Sequence, residues 1–414
     1  MNECKNLDEI KIYPVLEIFR GIKYDEILKS FIFDTNSNLG KDIFNQKKNY
    51  IRTLTNIIAS WMFSLYSIYD FKFDNFFPNN CSNNTNLKNT LINFTKFNKN
   101  LTNNNQVVDK IISNLNKSYN EALKKLDEYK KSDSFNSSKY FYNLEKTEIN
   151  QNRYGQNKRF YKFKIFTEIK TFSNRLKNIL NNILIPVDIY DRLKDKYSGK
   201  QEFFDILIWT MTYRYQILGS NNNQLGVLPE NLLKLKEDFG VNFELFGSSI
   251  NFTLDNYCSL YFDVEKYFGS SGNFFNFDIK SGVYSFNPPY QNDIIEKGIS
   301  KLLNVLEDDK NLYTFIITIP IWDNIGKKIM KFKYPEKKLV QEIDYEDFSI
   351  VKKILGSKFF KIKLIISKNN FTYLDHNFHL FKNSTIQNTY VIILSNDSST
   401  DFSKINEYNF KDYE

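Results

Sequence analysis

In Val283-Tyr284-Ser285-Phe286-Asn287-Pro288-Pro289-Tyr290, an apolar, aromatic run of strand length ends abruptly in a double-proline turn. Val283 to Phe286 reads as a buried strand. Beyond the turn, Ile294, Ile295, Ile299, Leu302, Leu303 and Leu306 recur at the spacing of a helix. The apolar run Tyr313 to Ile321 then reads as a second strand. Strand, tight turn, helix and strand make a βαβ unit, and its turn falls where open α/β sheets place their chemistry. The prolines remove two backbone donors and fix φ, so their carbonyls point in set directions. Asn287 adds an acceptor and Tyr290 an aromatic face. Two converging acceptors under a flat ring suit a planar group with an exocyclic NH2, such as adenine, and imply methyl transfer to an amine. An Asn-Pro dipeptide alone is common loop punctuation; its place between that strand and that helix lifts it above that reading.

A chain of 414 residues suits two domains, or one with a large extension. Apolar residues at 42% and aromatics at 17% supply a sizeable core and exclude overall disorder. The excess of Asn, Lys, Ile, Phe and Tyr fits an A/T-rich coding genome, so Asn-rich loops carry little functional meaning. A formal charge of +8 fits an anionic partner, although lysine enrichment from codon bias accounts for it equally well. Cys4, Cys81 and Cys258 are far apart and lack metal spacing, which implies a reducing compartment and no disulfide framework. His376 and His379 are too few for a His-rich metal site, and no metal is expected. No signal peptide and no bilayer-length apolar run stand out. The expectation is a soluble intracellular protein of nucleus or cytoplasm, a cytoplasmic viral factory included, with no membrane partner.

Residues 1–50 show no clear period. Leu54, Ile57, Ile58, Trp61, Met62, Leu65 and Tyr66 make one helical face, and Val107 to Tyr129 a second helix. The Asn-rich stretch 79–105 reads as a loop or a weakly ordered insert, and Lys130 to Lys139 as a linker. These features predict a helical, basic domain over 1–200, a catalytic domain over 201–397 and a frayed polar tail over 398–414. In Lys158-Arg159-Phe160-Tyr161-Lys162-Phe163-Lys164, cations and aromatics interleave as they do where unpaired RNA is held by phosphate pairing and base stacking. Lys158 and Arg159 are the candidate phosphate contacts; an amphipathic segment with Phe inward explains the pattern as well. Phe203 to Leu218 reads as an apolar helix carrying Trp209 and Arg214, the latter a candidate substrate contact.

Leu228-Pro229 opens another helix, and Val241 to Phe246 reads as the first strand of the sheet. It ends in Gly247-Ser248-Ser249, whose small residues let a nucleoside-like cofactor approach the backbone. A single Gly is a weak cofactor signal on its own. Gly269-Ser270-Ser271-Gly272 precedes Phe274 to Ile279, a strand-like run containing Asp278. That carboxylate would accept from a cofactor's adenine amine or ribose hydroxyl, or simply cap a turn. Phe359 to Ile366 and Thr389 to Leu394 are two further strands, an antiparallel pair at the sheet edge.

The run Phe243 to Asn251, then Tyr267-Phe268-Gly269-Ser270, Asn287-Pro288-Pro289-Tyr290, Ile319-Pro320-Ile321-Trp322 and Asn388 to Asp397, resembles the phosphorylated-CTD-interacting-factor family of cap-specific adenosine methyltransferases. The likeness extends from Leu228 to Asp397; before that it is only general. The resemblance implies a Rossmann-like, class I S-adenosylmethionine-dependent methyltransferase core of α/β class preceded by a mostly helical domain. It also implies N6 methylation of the 2′-O-methyladenosine next to the 7-methylguanosine cap, with S-adenosyl-L-methionine as donor and the capped mRNA 5′ end as partner. By motif match, Asn287, Pro288, Pro289 and Tyr290 would hold the target adenine. Phe246, Gly247, Ser248 and Asn251 would contact the donor, with Phe268, Gly269 and Asp278. Trp322, Tyr373 and His379 fall on matching stretches placed near substrate.

Three departures from the family pattern follow. Trp61 and Trp209 are too far apart to form the WW pair of animal members, so the chain reads as WW-less, with no RNA polymerase II tail binding expected. A viral or protist version acting outside the host polymerase machinery is the corollary. Tyr290 stands where Phe is common, and Ile321 where an acidic residue is usual. The same turn also serves enzymes that methylate adenine in DNA or internal RNA, and a catalytically inactive RNA-binding subunit can keep the fold; these are the alternatives.

Overall fold

The computed structural model describes residues 2–3, 7–39, 50–66, 74–78, 84–95, 104–153, 156–169, 172–219, 224–308, 310–321, 332–333, 338–339, 349–375, 382–384, 388–408 and 410. The chain divides into two compact units, Met1–Asn221 and Asn222–Glu414, so the boundary falls after rather than before the helix Phe204–Leu218.

In the first unit α1 (Pro14–Leu39), α2 (Tyr50–Tyr66), α3 (Thr85–Thr95) and α4 (Asn104–Lys131) carry the core, followed by the short α5 (Asp133–Ser138). Two of these overturn the loop and linker expected from composition: α3 lies inside the Asn-rich stretch, and α5 inside the charged one. The long α1 went unread for a physical reason. Its buried side includes Glu17, Arg20, Lys23 and Asp25 beside Ile18, Tyr24 and Leu28, so no clean apolar stripe exists. Those charges are paired. Arg20 donates to Glu17 at 2.5 Å and to Asp74 at 2.8 Å, while Lys130 reaches Asp74 at 2.8 Å.

The same unit contains a β-hairpin that the expectation of a helical domain omitted. β1 (Phe141–Arg153) pairs antiparallel with β2 (Gln156–Phe166), and β3 (Ile183–Pro186) adds to β2 opposite Phe160 to Phe163. The hairpin is followed by α6 (Val187–Lys196) and α7 (Phe204–Leu218). Phe160 and Phe163 are buried, and Tyr161 packs on Tyr190 of α6 with ring centroids 4.5 Å apart. These aromatics are therefore occupied by the protein's own core, as the amphipathic reading required. Gly21 of α1 lies directly under the Tyr213 hydroxyl of α7, where no Cβ fits.

The second unit opens with β4 (Leu225–Val227) and α8 (Pro229–Phe239), which ends on Gly240 in the left-handed region at φ 73°. Then come β5 (Phe243–Glu244), β6 (Asn256–Tyr257) and β7 (Gly282–Phe286). The helix α9 (Asn292–Leu306) follows, then β8 (Tyr313–Pro320), α10 (Ser349–Leu355), β9 (Phe360–Ile366), β10 (Tyr373–Asp375), β11 (Lys382–Ser384) and β12 (Thr389–Ser395). The main sheet has the order β9-β12-β8-β7-β5-β6. Strands β6, β5, β7 and β8 run parallel, while β12 is antiparallel to both β8 and β9. This is a Rossmann-like α/β arrangement, with the antiparallel pair at the edge as expected. A second sheet, β11-β10-β4, lies apart from it in the hydrogen-bond ladder.

α9 buries Ile294, Ile295, Ile299, Leu302 and Leu306 on the sheet. A Cβ on its Gly298 would lie 2.5 Å from Phe286 Cζ, so glycine permits the close helix–strand approach. Two expectations fail here. Phe274 to Ile279 is not a strand: Phe274–Asn276 is a 3-10 turn, and Lys301 Nζ draws in the carbonyls of Phe274, Phe275 and Phe277 at 2.7, 3.1 and 2.7 Å. The described part of the tail is not frayed: Phe402, Ile405, Tyr408 and Phe410 are buried in a core shared with Phe371 and Tyr373. Among the described residues no helix is long and apolar enough to cross a membrane.

Two outcomes are expected in the first unit. Gly21→Ala overpacks the α1–α7 contact and should cost ~1–3 kcal/mol, read from the denaturant midpoint; an unchanged midpoint would show that the helices separate freely. Burial opposes ionisation of Glu17, but Arg20 and Arg214 hold its carboxyl below the usual range, as Arg20 and Lys130 do for Asp74. Their stabilisation is full above the unfolded carboxylate range near ~4 and is lost as pH falls through the depressed folded values. Thermal melts of the full chain should therefore show the first unit weakening below about pH 4, and Glu17→Gln should flatten that dependence.

Candidate active site

In a mostly parallel sheet, strands that share a direction release their following loops at one edge. β5 lies between β6 and β7, so the chain turns to one side after β5 and to the other before β7. That reversal opens a crevice at the carboxyl ends of the strands, the usual ligand position in such sheets. The loop after β5 and the turn after β7 face this crevice.

The first wall is Phe246 to Asn251. Phe246 is half-buried against Phe274 and Phe286, with centroids 4.7 and 5.4 Å away. Gly247 N donates to Cys258 O at 2.8 Å, and a Cβ there would meet Tyr257 Cβ at 3.3 Å. Ser248 N donates to Asn251 Oδ1 at 2.7 Å, which closes the turn. Ser248 Oγ donates to Gln224 Oε1 at 2.9 Å. Two buried carboxylates hold the surrounding backbone. Glu265 accepts from Ser249 N and Tyr261 N, each at 2.8 Å, and Glu244 accepts from Thr253 N and Leu254 N at 2.6 and 2.7 Å. Tyr257 connects this loop to the next, sharing a hydrogen bond with Ser249 Oγ and donating to Phe268 O at 2.8 Å. Phe268 is buried, and Gly269 takes φ 93° beside it.

The second wall is the double-proline turn. Asn287 Nδ2 donates to Leu225 O at 3.2 Å, which orients the amide and leaves Oδ1 as its acceptor end. The Tyr290 hydroxyl donates to that Oδ1 at 3.0 Å. The Tyr290 ring meets Tyr373 edge-on at 5.8 Å, and Tyr373 shares a hydrogen bond with Thr389 Oγ1 at 2.9 Å. Burial and the neighbouring Tyr373 push the Tyr290 hydroxyl well above its ordinary pKa, so it remains a donor. An amide oxygen has two lone pairs, so Oδ1 can accept from Tyr290 and from a second donor together.

The structure thus brings together Phe246, Gly247, Ser248, Asn251, Phe268 and Gly269 around one loop system, and Asn287, Pro288, Pro289, Tyr290 and Tyr373 around the other. Asp278 is not among them. It is an exposed residue paired with Lys280 on the segment before β7, at the opposite end of the strand. Arg214 is also misplaced by the sequence reading, since it is fully buried in the first unit and donates to Glu17 at 2.9 and 2.7 Å. Arg159 is exposed on the hairpin and pairs with Glu148 at 2.5 Å; Lys158 lies half-exposed opposite Gln151. Trp322 and His379 lie outside the described residues. Gln224, Glu244 and Glu265 escaped the sequence reading because isolated Gln and Glu residues carry no spacing signal. Among the described residues no group of three or more His, Cys, Asp or Glu side chains is placed to hold a metal ion.

Residues 187–349 match the family model described as "Phosphorylated CTD interacting factor 1 WW domain". The chain is similar to that family. Over 121 residues it is 33% identical to "mRNA (2'-O-methyladenosine-N(6)-)-methyltransferase" of Mus musculus and, equally, of Homo sapiens. Those matches cover 28% of this chain and 17% of each relative, so the chain matches about a sixth of their length. The family match overturns the expectation of a WW-less chain and, with it, the reasoning that excluded polymerase-tail binding. That expectation rests on the spacing of Trp61 and Trp209, whereas Trp209 and Trp322 both fall inside the matched residues. The viral or protist corollary loses that support as well.

Replacing Glu265 by Leu leaves the Ser249 and Tyr261 N–H groups without their acceptor. The expected cost is ~1–3 kcal/mol for each orphaned donor, measured by chemical denaturation of the full chain. A midpoint equal to that of the wild type would show that other contacts hold the loop.

Proposed function

We propose that this chain is an S-adenosylmethionine-dependent methyltransferase acting on the N6 amine of the 2′-O-methyladenosine next to the mRNA cap. The observation that carries this reading is the Asn287 turn, set across a switch-point crevice from a small-residue loop. The similarity to the two mammalian mRNA methyltransferases supports the same reaction.

The residues fit the donor. Gly247 leaves the backbone open where a Cβ would crowd Tyr257, and Phe246 offers a half-buried ring next to it. Phe246, Gly247, Ser248 and Asn251 would hold the donor, with Phe268 and Gly269 supporting the loop. Bound there, S-adenosylmethionine supplies an electrophilic methyl group. The chain's own work is on the acceptor. An adenine amine is a poor nucleophile because its lone pair is delocalised into the ring. Asn287 Oδ1 and the Pro288 carbonyl would each accept one N–H of that amine, which aligns the nitrogen lone pair and stabilises charge developing on it. The Leu225 carbonyl keeps the Asn287 oxygen, not its NH2, toward the amine. Tyr290 would pack on the adenine ring while its hydroxyl remains on Oδ1. The proton leaves to water after transfer, so no strong base is required. Lys158 and Arg159 would contact RNA phosphates from the hairpin.

Methyl-labelled donor is incubated with matched capped and uncapped RNAs that begin with adenosine. Label on capped RNA only, lost in Asn287→Ala while donor binding is retained, is the expected result. Equal label on uncapped RNA or DNA would replace the cap-adjacent assignment with a generic adenine methyltransferase. Undiminished labelling by Asn287→Ala would remove the turn from the mechanism.

A further inference from the structure

Gln224 and Leu225 are adjacent at the start of β4, yet they reach different walls of the crevice. Gln224 is buried, and its Oε1 accepts from Ser248 Oγ at 2.9 Å. The carbonyl of Leu225 accepts from Asn287 Nδ2 at 3.2 Å. Ser248 belongs to the loop after β5 and Asn287 to the turn after β7, so one dipeptide holds both.

That dipeptide has a fixed footing. Leu225 pairs with Asp375 and Val227 with Tyr373 in the smaller sheet. Tyr373 in turn meets Tyr290 and is anchored to Thr389 of β12. Ser248 is equally constrained, because its N–H is held by Asn251 Oδ1 at 2.7 Å. A displacement of Ser248 is therefore not absorbed in a slack loop. It reaches Gln224 through the hydroxyl–amide bond, and then the Leu225 carbonyl through a few backbone bonds.

We propose that Gln224 is a positioning residue that couples occupancy of the loop after β5 to the orientation of the Asn287 amide. This rests on the reading of that loop as the donor site. Gln224 touches neither the reacting methyl nor the target amine. It acts through Ser248 on one side and the Leu225 carbonyl on the other. A ligand that settles Ser248 thereby settles Oδ1 of Asn287, and the linkage must be reciprocal: each substrate tightens the other by the same factor.

Isothermal titration of the full chain with S-adenosylhomocysteine and a capped, adenosine-initiated oligonucleotide tests this. The variants are Gln224→Leu, Ser248→Ala, the double variant and Gln224→Glu. In the wild type, saturating S-adenosylhomocysteine should tighten oligonucleotide binding. Gln224→Leu should weaken S-adenosylhomocysteine about tenfold, the equivalent of ~1.4 kcal/mol, and abolish the tightening. Ser248→Ala also gives up the bond from Asn251 N to Ser248 Oγ at 3.3 Å, so the double variant should be no worse than Ser248→Ala alone, the Ser248–Gln224 bond being already lost in each single. Gln224→Glu keeps an acceptor for Ser248 Oγ and should restore both properties. Wild-type coupling in Gln224→Leu, or penalties that add in the double variant, would overturn the proposal while leaving the donor site intact. A wild-type chain that binds no S-adenosylhomocysteine would overturn the donor-site reading itself. Thermal melts identify a Gln224→Leu protein that fails to fold, in which case Ser248→Ala carries the same test.

Discussion

Phe243 pairs with Tyr284 and Glu244 with Ser285 in parallel register, and the backbone bond from Leu245 N to Ser285 O extends that pairing past the strand end. From this short contact follows the juxtaposition of the two loops that matter. Parallel neighbours point the same way, so Phe246 and Asn287 leave the sheet at one edge. A shift of one residue would turn Tyr284 and Phe286 out of the core and move the turn away from the loop. Gly298 preserves the register from above, because α9 lies against Phe286 with no room for a Cβ.

Buried carboxylates do much of the ordering in both units, by different means. In the second unit Glu244 and Glu265 accept backbone N–H groups, so each fixes a loop. In the first, Glu17 and Asp74 are balanced by Arg20, Arg214 and Lys130. Such an ionic cluster is tolerated only while it stays complete, since removing one partner of a buried pair typically costs ~3–5 kcal/mol. It ties α1 to α7 through the pairing of Glu17 with Arg214.

The core strands, α9 and the double-proline turn were legible because their patterns are local: an apolar run, a helical spacing, two prolines in a row. The edge pair β9 and β12 was legible for the same reason. α1 was not, because half of its buried face is charged and only the tertiary partners reveal why. Arg214 looked like a substrate contact for the mirror-image reason, its counter-ion Glu17 being far away in sequence. The Phe274–Asn276 turn was misread because aromatic content implied a strand, while Lys301, outside the window, gathers its carbonyls. Around the crevice, the sequence offers candidate residues but not their partners. Nothing in the sequence ties Gln224 to Ser248 or Leu225 to Asn287, and Asp278 gave no sign that it lies at the other end of the strand. The spacing of two tryptophans misled where a family match over a longer segment did not.

Crystals of the full chain soaked with S-adenosylhomocysteine and adenosine would place both ligands directly. The expected density puts the donor product against Gly247 to Asn251, with its sulfur toward the turn, and the adenine amine between Asn287 Oδ1 and the Pro288 carbonyl. Density for the donor product on any other edge of the sheet, or an adenine held away from Asn287, would contradict a reaction at this crevice.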